Sequence, residues 1–335
     1  MFDGKKVLIT GGTGSLGIAL TKELLKTEVD TIRIYSRNES KQIEMQNEMN
    51  DSRLRYLIGD VRDKERLSKA LEDVNIVIHA AALKHVPVVE YNPFEAIKTN
   101  VLGSQNVIEC CLQEDVEIAI CVGTDKAVSP LNTYGATKHL MEDLFTTASN
   151  YTNPLRHKTK FIAVRYGNVL ASSNSVVPKF IEQIKNGKEL TVTDFSMTRF
   201  NITMNQAIKL IFDSIKLGHG GEIFIPKLKS YKLETLKDAL FEVLETTVDV
   251  KKISVRPGEK FHESLINEEE LRNTYETEDY YVILDKQMND GTFSKWNNLQ
   301  ETNRTEQYSS DKVELLTKDE LIKILINEKL VKNDY

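Results

Sequence analysis

A chain of 335 residues, 40% hydrophobic and 28% charged, is long enough to bury a full core as one large domain with a smaller companion. A formal net charge of −6 without a Lys/Arg cluster argues against nucleic-acid partners. No apolar run approaches the ~18 residues that a span needs, which argues against membrane insertion. The start, Met1-Phe2-Asp3-Gly4-Lys5-Lys6, has no long apolar leader. The three cysteines, Cys110, Cys111 and Cys121, sit in apolar surroundings without a CxxC pair, as reduced thiols of a cytoplasmic protein would. The six histidines are scattered, with no HxxxH or HExxH, so no metal site is expected.

In chain order, short β-branched runs predict strands at 6–10, 31–35, 55–58, 76–79, 118–122 and 161–165. Helical patterns fall between them, at about 15–26, 39–50, 63–73, 94–113 and 134–149. Strands alternating with helices predict an α/β fold, a Rossmann-type doubly wound parallel sheet covered on both faces. After about residue 170 the rhythm breaks into strand-like pieces at 190–193, 223–225 and 252–255. Helices follow near 176–187, 203–216, 232–245 and 318–328. The expected division is a nucleotide-binding domain over 1–170, to which some later segments return, and a smaller C-terminal α/β substrate domain with an arm over 171–335. The polar stretch 287–312 reads as a long ordered loop, an oligomer-contacting arm or disorder.

The first strand runs into Gly11-Gly12-Thr13-Gly14-Ser15-Leu16-Gly17, which opens the first helix. A GxxGxxG pattern in that context allows a tight turn, backbone amides close to a pyrophosphate, and close helix–strand packing. Gly11, Thr13, Gly14, Ser15 and Leu16 are therefore cofactor-binding candidates. The second strand ends in Ser36-Arg37-Asn38-Glu39-Ser40-Lys41. Arg37 and Lys41 suit a 2′-phosphate, with Ser36 as hydrogen-bond donor, whereas Glu39 would suit the free ribose of NAD. Two cations against one acid favour NADP. Asp60 and Val61 end the third strand, at the position of an adenine contact. Ala80, Ala81 and Ala82 end the fourth, where small residues let a cofactor lie against the backbone.

Thr124-Asp125-Lys126 and, eight residues on, Tyr134 with Lys138 carry the chemistry. A phenol and a lysine four residues apart share one helix face. A nearby ammonium favours phenolate, which suits removal of an alcohol proton as its hydride leaves. The adjacent Asp and Lys point to acid–base chemistry after the oxidation, and neighbouring residues of this kind usually project in different directions.

Together with His79-Ala80-Ala81-Ala82 and Asn100, these motifs resemble the extended short-chain dehydrogenase/reductase superfamily. More narrowly, the chain resembles the bacterial UDP-N-acetylglucosamine 4,6-dehydratases that invert C5, of the polysaccharide-biosynthesis group that makes capsule, O-antigen and flagellin sugars. The matching stretches include 35–42, 59–63, 79–107, 124–138, 164–172, 197–203 and 256–263. Retaining dehydratases of this superfamily resemble one another in having Thr-Asp-Glu where this chain has Thr-Asp-Lys, and the 4-epimerases lack an acid–base pair there. Three departures stand out: Ser172-Ser173-Asn174-Ser175 replaces an SRGS-like stretch, Gly123 replaces a serine, and Asn201 follows MTRF.

The resemblance implies a UDP-sugar substrate, NADP and a homo-oligomer. Tyr134, helped by Lys138 and Thr124, would oxidise C4. Lys126, with a depressed pKa, would take the C5 proton, and a protonated Asp125 would assist loss of the C6 hydroxyl. Lys84 is implied as proton donor or cofactor ligand, and His85 as a pocket wall. Asn168, Val177, Thr193 and Arg199 are implied as pocket residues, and Arg256 and Glu259 as diphosphate and ribose contacts. Two alternatives stay open: a partial dehydratase that releases the 5,6-ene or works with a partner enzyme, and a non-catalytic NADP-binding regulatory protein.

Overall fold

The computed structural model describes residues 1–153, 155–170, 175–255, 258–284, 296 and 299–331. Its first half alternates β1 (Lys6–Thr10), α1 (Ser15–Leu24), β2 (Thr31–Ser36), α2 (Glu39–Met49), β3 (Leu54–Ile58), α3 (Lys64–Leu71) and β4 (Ile76–His79). Then come α4 (Val86–Tyr91), α5 (Pro93–Ala96), α6 (Gly103–Gln113), β5 (Ile118–Val122), α7 (Thr133–Thr147) and β6 (Lys160–Val164). The helix expected over 94–113 is broken. Pro93 starts a short turn, and Ile97–Leu102 widens into a π-helical turn before α6. The apolar spacing is continuous across that break and so does not reveal it, whereas π turns often mark functional sites.

The second half adds α8 (Val176–Lys185), β7 (Leu190–Val192), β8 (Thr198–Phe200), α9 (Met204–Leu217), β9 (Ile223–Pro226), β10 (Ser230–Lys232) and α10 (Leu233–Val243). It closes with β11 (Val250–Lys252), β12 (Ser264–Ile266), β13 (Thr274–Glu276), β14 (Tyr280–Ile283), β15 (Gln300–Glu301), β16 (Tyr308–Ser309) and α11 (Lys318–Asn327). The strand expected at 252–255 is β11, displaced toward the N-terminus. Part of the polar stretch 287–312 lies outside the described residues, and its remainder contributes β15 and β16.

Among the described residues the main sheet has ten strands in the order β15-β13-β14-β9-β6-β5-β4-β1-β2-β3. From β3 to β9 every pairing is parallel, and β14, β13 and β15 extend it antiparallel. β1 and β4 are buried from Val7 to Thr10 and from Ile76 to His79, as strands covered on both faces must be. The chain order reverses between β1 and β4, which opens a crevice at the carboxyl ends of the strands. A second apolar core joins Val177, Phe180 and Ile184 to Leu236, Leu240, Leu321 and Leu325, on α8, α10 and α11. Among the described residues no helix is long and apolar enough to cross a membrane.

Candidate active site

The glycine turn sits at the crevice. Gly11 has φ +67°, and a Cβ there would lie 2.9 Å from the backbone of Ala81, so the turn presses on the end of β4 as only glycine can. A Cβ on Gly17 would stand 2.4 Å from the Gly12 carbonyl oxygen, the close helix–strand packing expected of the last glycine. Gly14 caps α1 without a side-chain hydrogen bond, and no acid occupies the first turn. The end of α1, with Ser15 and Leu16 leading it, therefore keeps its positive field, and the turn fits the pyrophosphate of a dinucleotide.

Around it, Thr13 Oγ1 donates to Ser36 Oγ at 3.2 Å. Gln42, the last residue of the matching stretch 35–42, fixes the end of β2: its Nε2 donates to Ser36 O, Ser36 Oγ and Leu57 O at 3.1, 3.0 and 3.0 Å. Arg37 extends past Asp60 at 3.7 Å with half its side chain exposed, and Lys41 is exposed on α2. Burial raises the Asp60 pKa, but hydrogen bonds from the Arg62 side chain and backbone outweigh it and hold the carboxyl below its usual range. Val61 is buried under Gly103, where a Cβ would meet Val61 Cγ2 at 2.7 Å.

Ala80 N and Ala81 N both bond Thr10, at 3.2 Å each, and Ala82 leads into the loop bearing the exposed Lys84 and His85. Asn100, on the π turn, holds that loop and α7 together. Its Oδ1 accepts from Leu83 N at 2.8 Å, and its Nδ2 donates to Leu83 O at 3.0 Å and Thr137 Oγ1 at 3.1 Å.

The catalytic candidates converge after β5, where Asp125–Ala127 form one 3-10 turn capped by Thr124. Asn132 caps α7 through Gly135 N at 2.8 Å. A Cβ on Gly135 would lie 2.1 Å from Lys126 O, so α7 seats directly on that turn. The Tyr134 phenol lies beside Thr124, which favours its ionised form, and Thr124 Oγ1 donates to Asp125 Oδ1 at 2.8 Å. Burial raises the Tyr134 pKa, Lys126 opposes it, and the net shift is upward, so the expected easing of phenol ionisation is not the resting condition. Lys138 is buried with Nζ 3.0 Å from Met141 Sδ, and burial brings its pKa down to about 8.

Two expectations are corrected here. Asp125 and Lys126 do not project apart: the tight turn curls the lysine back, and Nζ donates to Asp125 Oδ1 at 3.0 Å. Nor is the Lys126 pKa depressed. Burial lowers it, but Asp125 and Glu263 together outweigh burial and raise it. Lys126 Nζ also donates to Asn168 Oδ1 at 3.1 Å and lies 3.5 Å from Glu263 Oε1.

Of the expected substrate residues, Val177 is buried on α8, and Thr193 Oγ1 donates to Glu259 Oε2 at 3.3 Å. Arg199, buried on β8, donates to Thr198 O at 2.7 Å and Phe261 O at 3.0 Å, and lies 3.9 Å from Glu259. Arg256 and the positions 172–174 of the departing segment lie outside the described residues. The stretch 258–263 clamps the catalytic turn. Asn132 Nδ2 donates to Gly258 O at 3.0 Å, and Lys260 Nζ donates to Val128 O. Lys260 and Glu263 belong to a motif read from the sequence as a whole, but their contacts with residues 126–128 carry no sequence signal. Gly123 is no neutral exchange either. A Cβ there would fall 2.0 Å from Glu142 Oε1, so a serine needs that buried carboxylate moved.

The model of a family described as polysaccharide biosynthesis protein matches residues 7–285. A Campylobacter jejuni relative named UDP-N-acetylglucosamine 4,6-dehydratase (inverting) is 50% identical over 285 residues, 84% of either chain. A Rickettsia massiliae relative named UDP-glucose 4-epimerase is 42% identical over 287 residues, again 84% of either chain. The crystal structure of Pen from Bacillus thuringiensis superposes with a TM-score of 0.92 at 37% identity, covering 99% of this chain and 100% of that one. The motif resemblance and the fold agree with these matches, and the chain belongs to the polysaccharide biosynthesis protein family of extended short-chain dehydrogenases/reductases.

Proposed function

We propose that this protein is a sugar-nucleotide 4,6-dehydratase that uses NADP, acts on UDP-N-acetylglucosamine and inverts C5, supplying a 6-deoxy sugar for a surface glycan. The Asp125–Lys126 pair, 3.0 Å apart beside Tyr134, carries the reading. Oxidation at C4 needs the phenol and its helpers alone, whereas loss of water across C5–C6 also needs an acid and a base. The Campylobacter relative is named for this activity. The rickettsial relative is named for 4-epimerisation, a reaction that moves no proton at C5 and leaves the pair without work.

When bound, a nicotinamide dinucleotide supplies the hydride acceptor for C4 and the donor for C6. Gly11, Thr13, Gly14, Ser15 and Leu16 would hold its pyrophosphate, and Ser36, Arg37 and Lys41 its 2′-phosphate. Asp60 and Val61 would flank the adenine, Ala80, Ala81 and Ala82 would give it backbone to lie on, and Tyr134 and Lys138 would meet its reactive end. The loose Arg37–Asp60 contact leaves the guanidinium available to a phosphate.

In its phenolate form, which burial disfavours and Lys126 favours, Tyr134 Oη takes the proton of the 4-hydroxyl beside Thr124. The 4-keto group then acidifies C5–H. Lys126 begins as an ammonium and passes its proton along the 3.0 Å bond to Asp125 Oδ1. The neutral amine removes the C5 proton, and the protonated Asp125 gives its proton to the departing C6 hydroxyl as water. The pair is thereby restored, and C5 is reprotonated from the other face, with Lys84 as candidate donor. Asn168, Thr193 and Arg199 line the sugar side with His85 at its edge, Val177 packs in the apolar core behind them, and Glu259 and Arg256 take the nucleotide.

Incubation with UDP-N-acetylglucosamine in deuterated water, followed by NMR, is expected to give a UDP-2-acetamido-2,6-dideoxy-4-hexulose, inverted and deuterated at C5. UDP-N-acetylgalactosamine free of solvent deuterium would replace this reading with 4-epimerisation. A released 5,6-ene would limit the activity to elimination, and a chain that binds nucleotide without turnover would be a binding protein.

We further propose a homo-oligomer. Val88, Tyr91, Phe94 and Leu102 on the helical run after β4, with Leu140 on α7, remain exposed at 57%, 88%, 61%, 51% and 47%, and a second copy is the covering partner. Light scattering is expected to give at least a dimer for the wild type and a monomer for Tyr91→Asp/Phe94→Asp; an unchanged mass would remove this face from the interface. The buried free thiols support a cytoplasmic setting.

A further inference from the structure

Glu263 is 3% exposed, and its backbone is pinned on both sides: its N–H donates to Ser310 Oγ at 2.9 Å, and its carbonyl accepts from Ser310 N at 2.8 Å. Its side chain returns to the catalytic turn. Oε1 lies 3.5 Å from Lys126 Nζ and 4.0 Å from Arg199 Nε, while Oε2 is buried without a partner. The carboxylate on the other side of Lys126, Asp125, also has a buried oxygen without a partner, Oδ2. Buried polar atoms are nearly always satisfied. Two orphaned oxygens on the two carboxylates that flank one ammonium therefore mark a place where hydroxyl donors of a ligand belong.

We propose that Glu263 is a positioning residue of the dehydration site, whose buried carboxylate holds the Lys126 side chain and biases the one proton shared by Asp125 and Lys126 toward the amine. This rests on the dehydratase reading. A negative charge 3.5 Å from Nζ favours the ammonium–carboxylate form over the neutral amine–acid form in which elimination occurs. Glu263 thus keeps the pair charged until substrate engages the two carboxylates. Asp125 and Glu263 both raise the Lys126 pKa, against burial and Arg199. The other charged or titratable groups that face this cluster are Lys260 from its own segment, Tyr134 from α7, Tyr231 from β10 and Glu259 beside Arg199.

Glu263→Gln removes the charge and keeps the shape. The pH profile of C5 deuterium exchange should move toward acid, its alkaline limb by about one unit, the lower end for a charge within ~4–6 Å. Hydride transfer from C4, which does not use the proton shared by Asp125 and Lys126, should keep its alkaline limb in place even if its rate falls. Glu263→Asp should return the limb to its wild-type position even if turnover falls. A Glu263→Gln profile superimposable on the wild type, or one that only drops in height, would overturn the proposal while the dehydratase reading stands.

A second measurement needs no Glu263 variant. In wild-type protein labelled at lysine Nζ, the resonance lost in Lys126→Met is expected to stay protonated beyond the ordinary lysine pKa of about 10.4. Titration well below that value overturns the inference. An ammonium that persists in a protein giving no dehydrated product overturns the dehydratase reading alone.

Discussion

Tyr134→Phe lowers turnover by about 10²–10⁴-fold, the usual contribution of a positioned acid–base group, and does so at the first step. The substitution deletes one oxygen from a half-buried ring and leaves the supports of that ring in place. Asn132 still caps α7, and Gly135 still seats the helix on Lys126 O. The deleted oxygen lies beside Thr124, in a site where burial raises the phenol pKa and Lys126 pulls against it. Stopped-flow absorbance of the reduced nicotinamide is the direct measurement, with the loss appearing in C4 oxidation and unfolding by urea unchanged. Lys126→Met provides the contrast, since it should still form reduced nicotinamide yet release no 6-deoxy product. Wild-type turnover by Tyr134→Phe would remove the phenol from the reaction.

Those two variants separate the redox half of the site from the elimination half, and the sequence exposes the halves unequally. The Tyr134–Lys138 spacing, the glycine turn and the first six parallel strands are periodic or local features, so the elements near them are legible within a few residues. The Asp125–Lys126 pair is visible as two adjacent letters, but their contact depends on a 3-10 turn that neither residue type dictates. Glu263 and Lys260 meet the catalytic turn from more than a hundred residues downstream, and only tertiary folding makes that contact. Gln42 and Arg62 fall inside the matching stretches 35–42 and 59–63, but nothing in those letters shows that their donors reach Ser36 and Asp60. The short β13 and β15 were illegible for another reason. They pair antiparallel as the outermost two strands on one side of the sheet, where polar residues are tolerated and alternation is weak.

Behind the site the same logic predicts the largest stability effect. Arg165 follows β6 and is 1% exposed, with Glu142 of α7 on one side and Glu270 of the C-terminal half on the other. Nε and one terminal nitrogen reach Glu142 Oε2 at 3.1 and 2.8 Å, and the other terminal nitrogen donates to Leu265 O at 2.9 Å. Arg165→Met fills similar volume but strands two carboxylates, one of them fully buried. Breaking a buried pair in this way costs about 3–5 kcal/mol, which urea unfolding should register as a lowered midpoint. The pH dependence has a definite sign. Burial already raises the Glu142 pKa despite Arg165, so the folded state binds the extra proton and stability falls as pH rises from the unfolded carboxyl value through the folded one. Loss of Arg165 lifts the folded value further, so the deficit of Arg165→Met should shrink as the pH is lowered toward 5. Adding Glu142→Gln removes the stranded charge and should recover part of the loss, a coupling that a double-mutant cycle measures. Additive effects of the two substitutions would mean that the pair does not act as a unit. The Glu142 carboxylate also lies where a Gly123 side chain would go. The glycine before Thr124 and the buried arginine are then two parts of one arrangement, since both meet the Glu142 carboxylate.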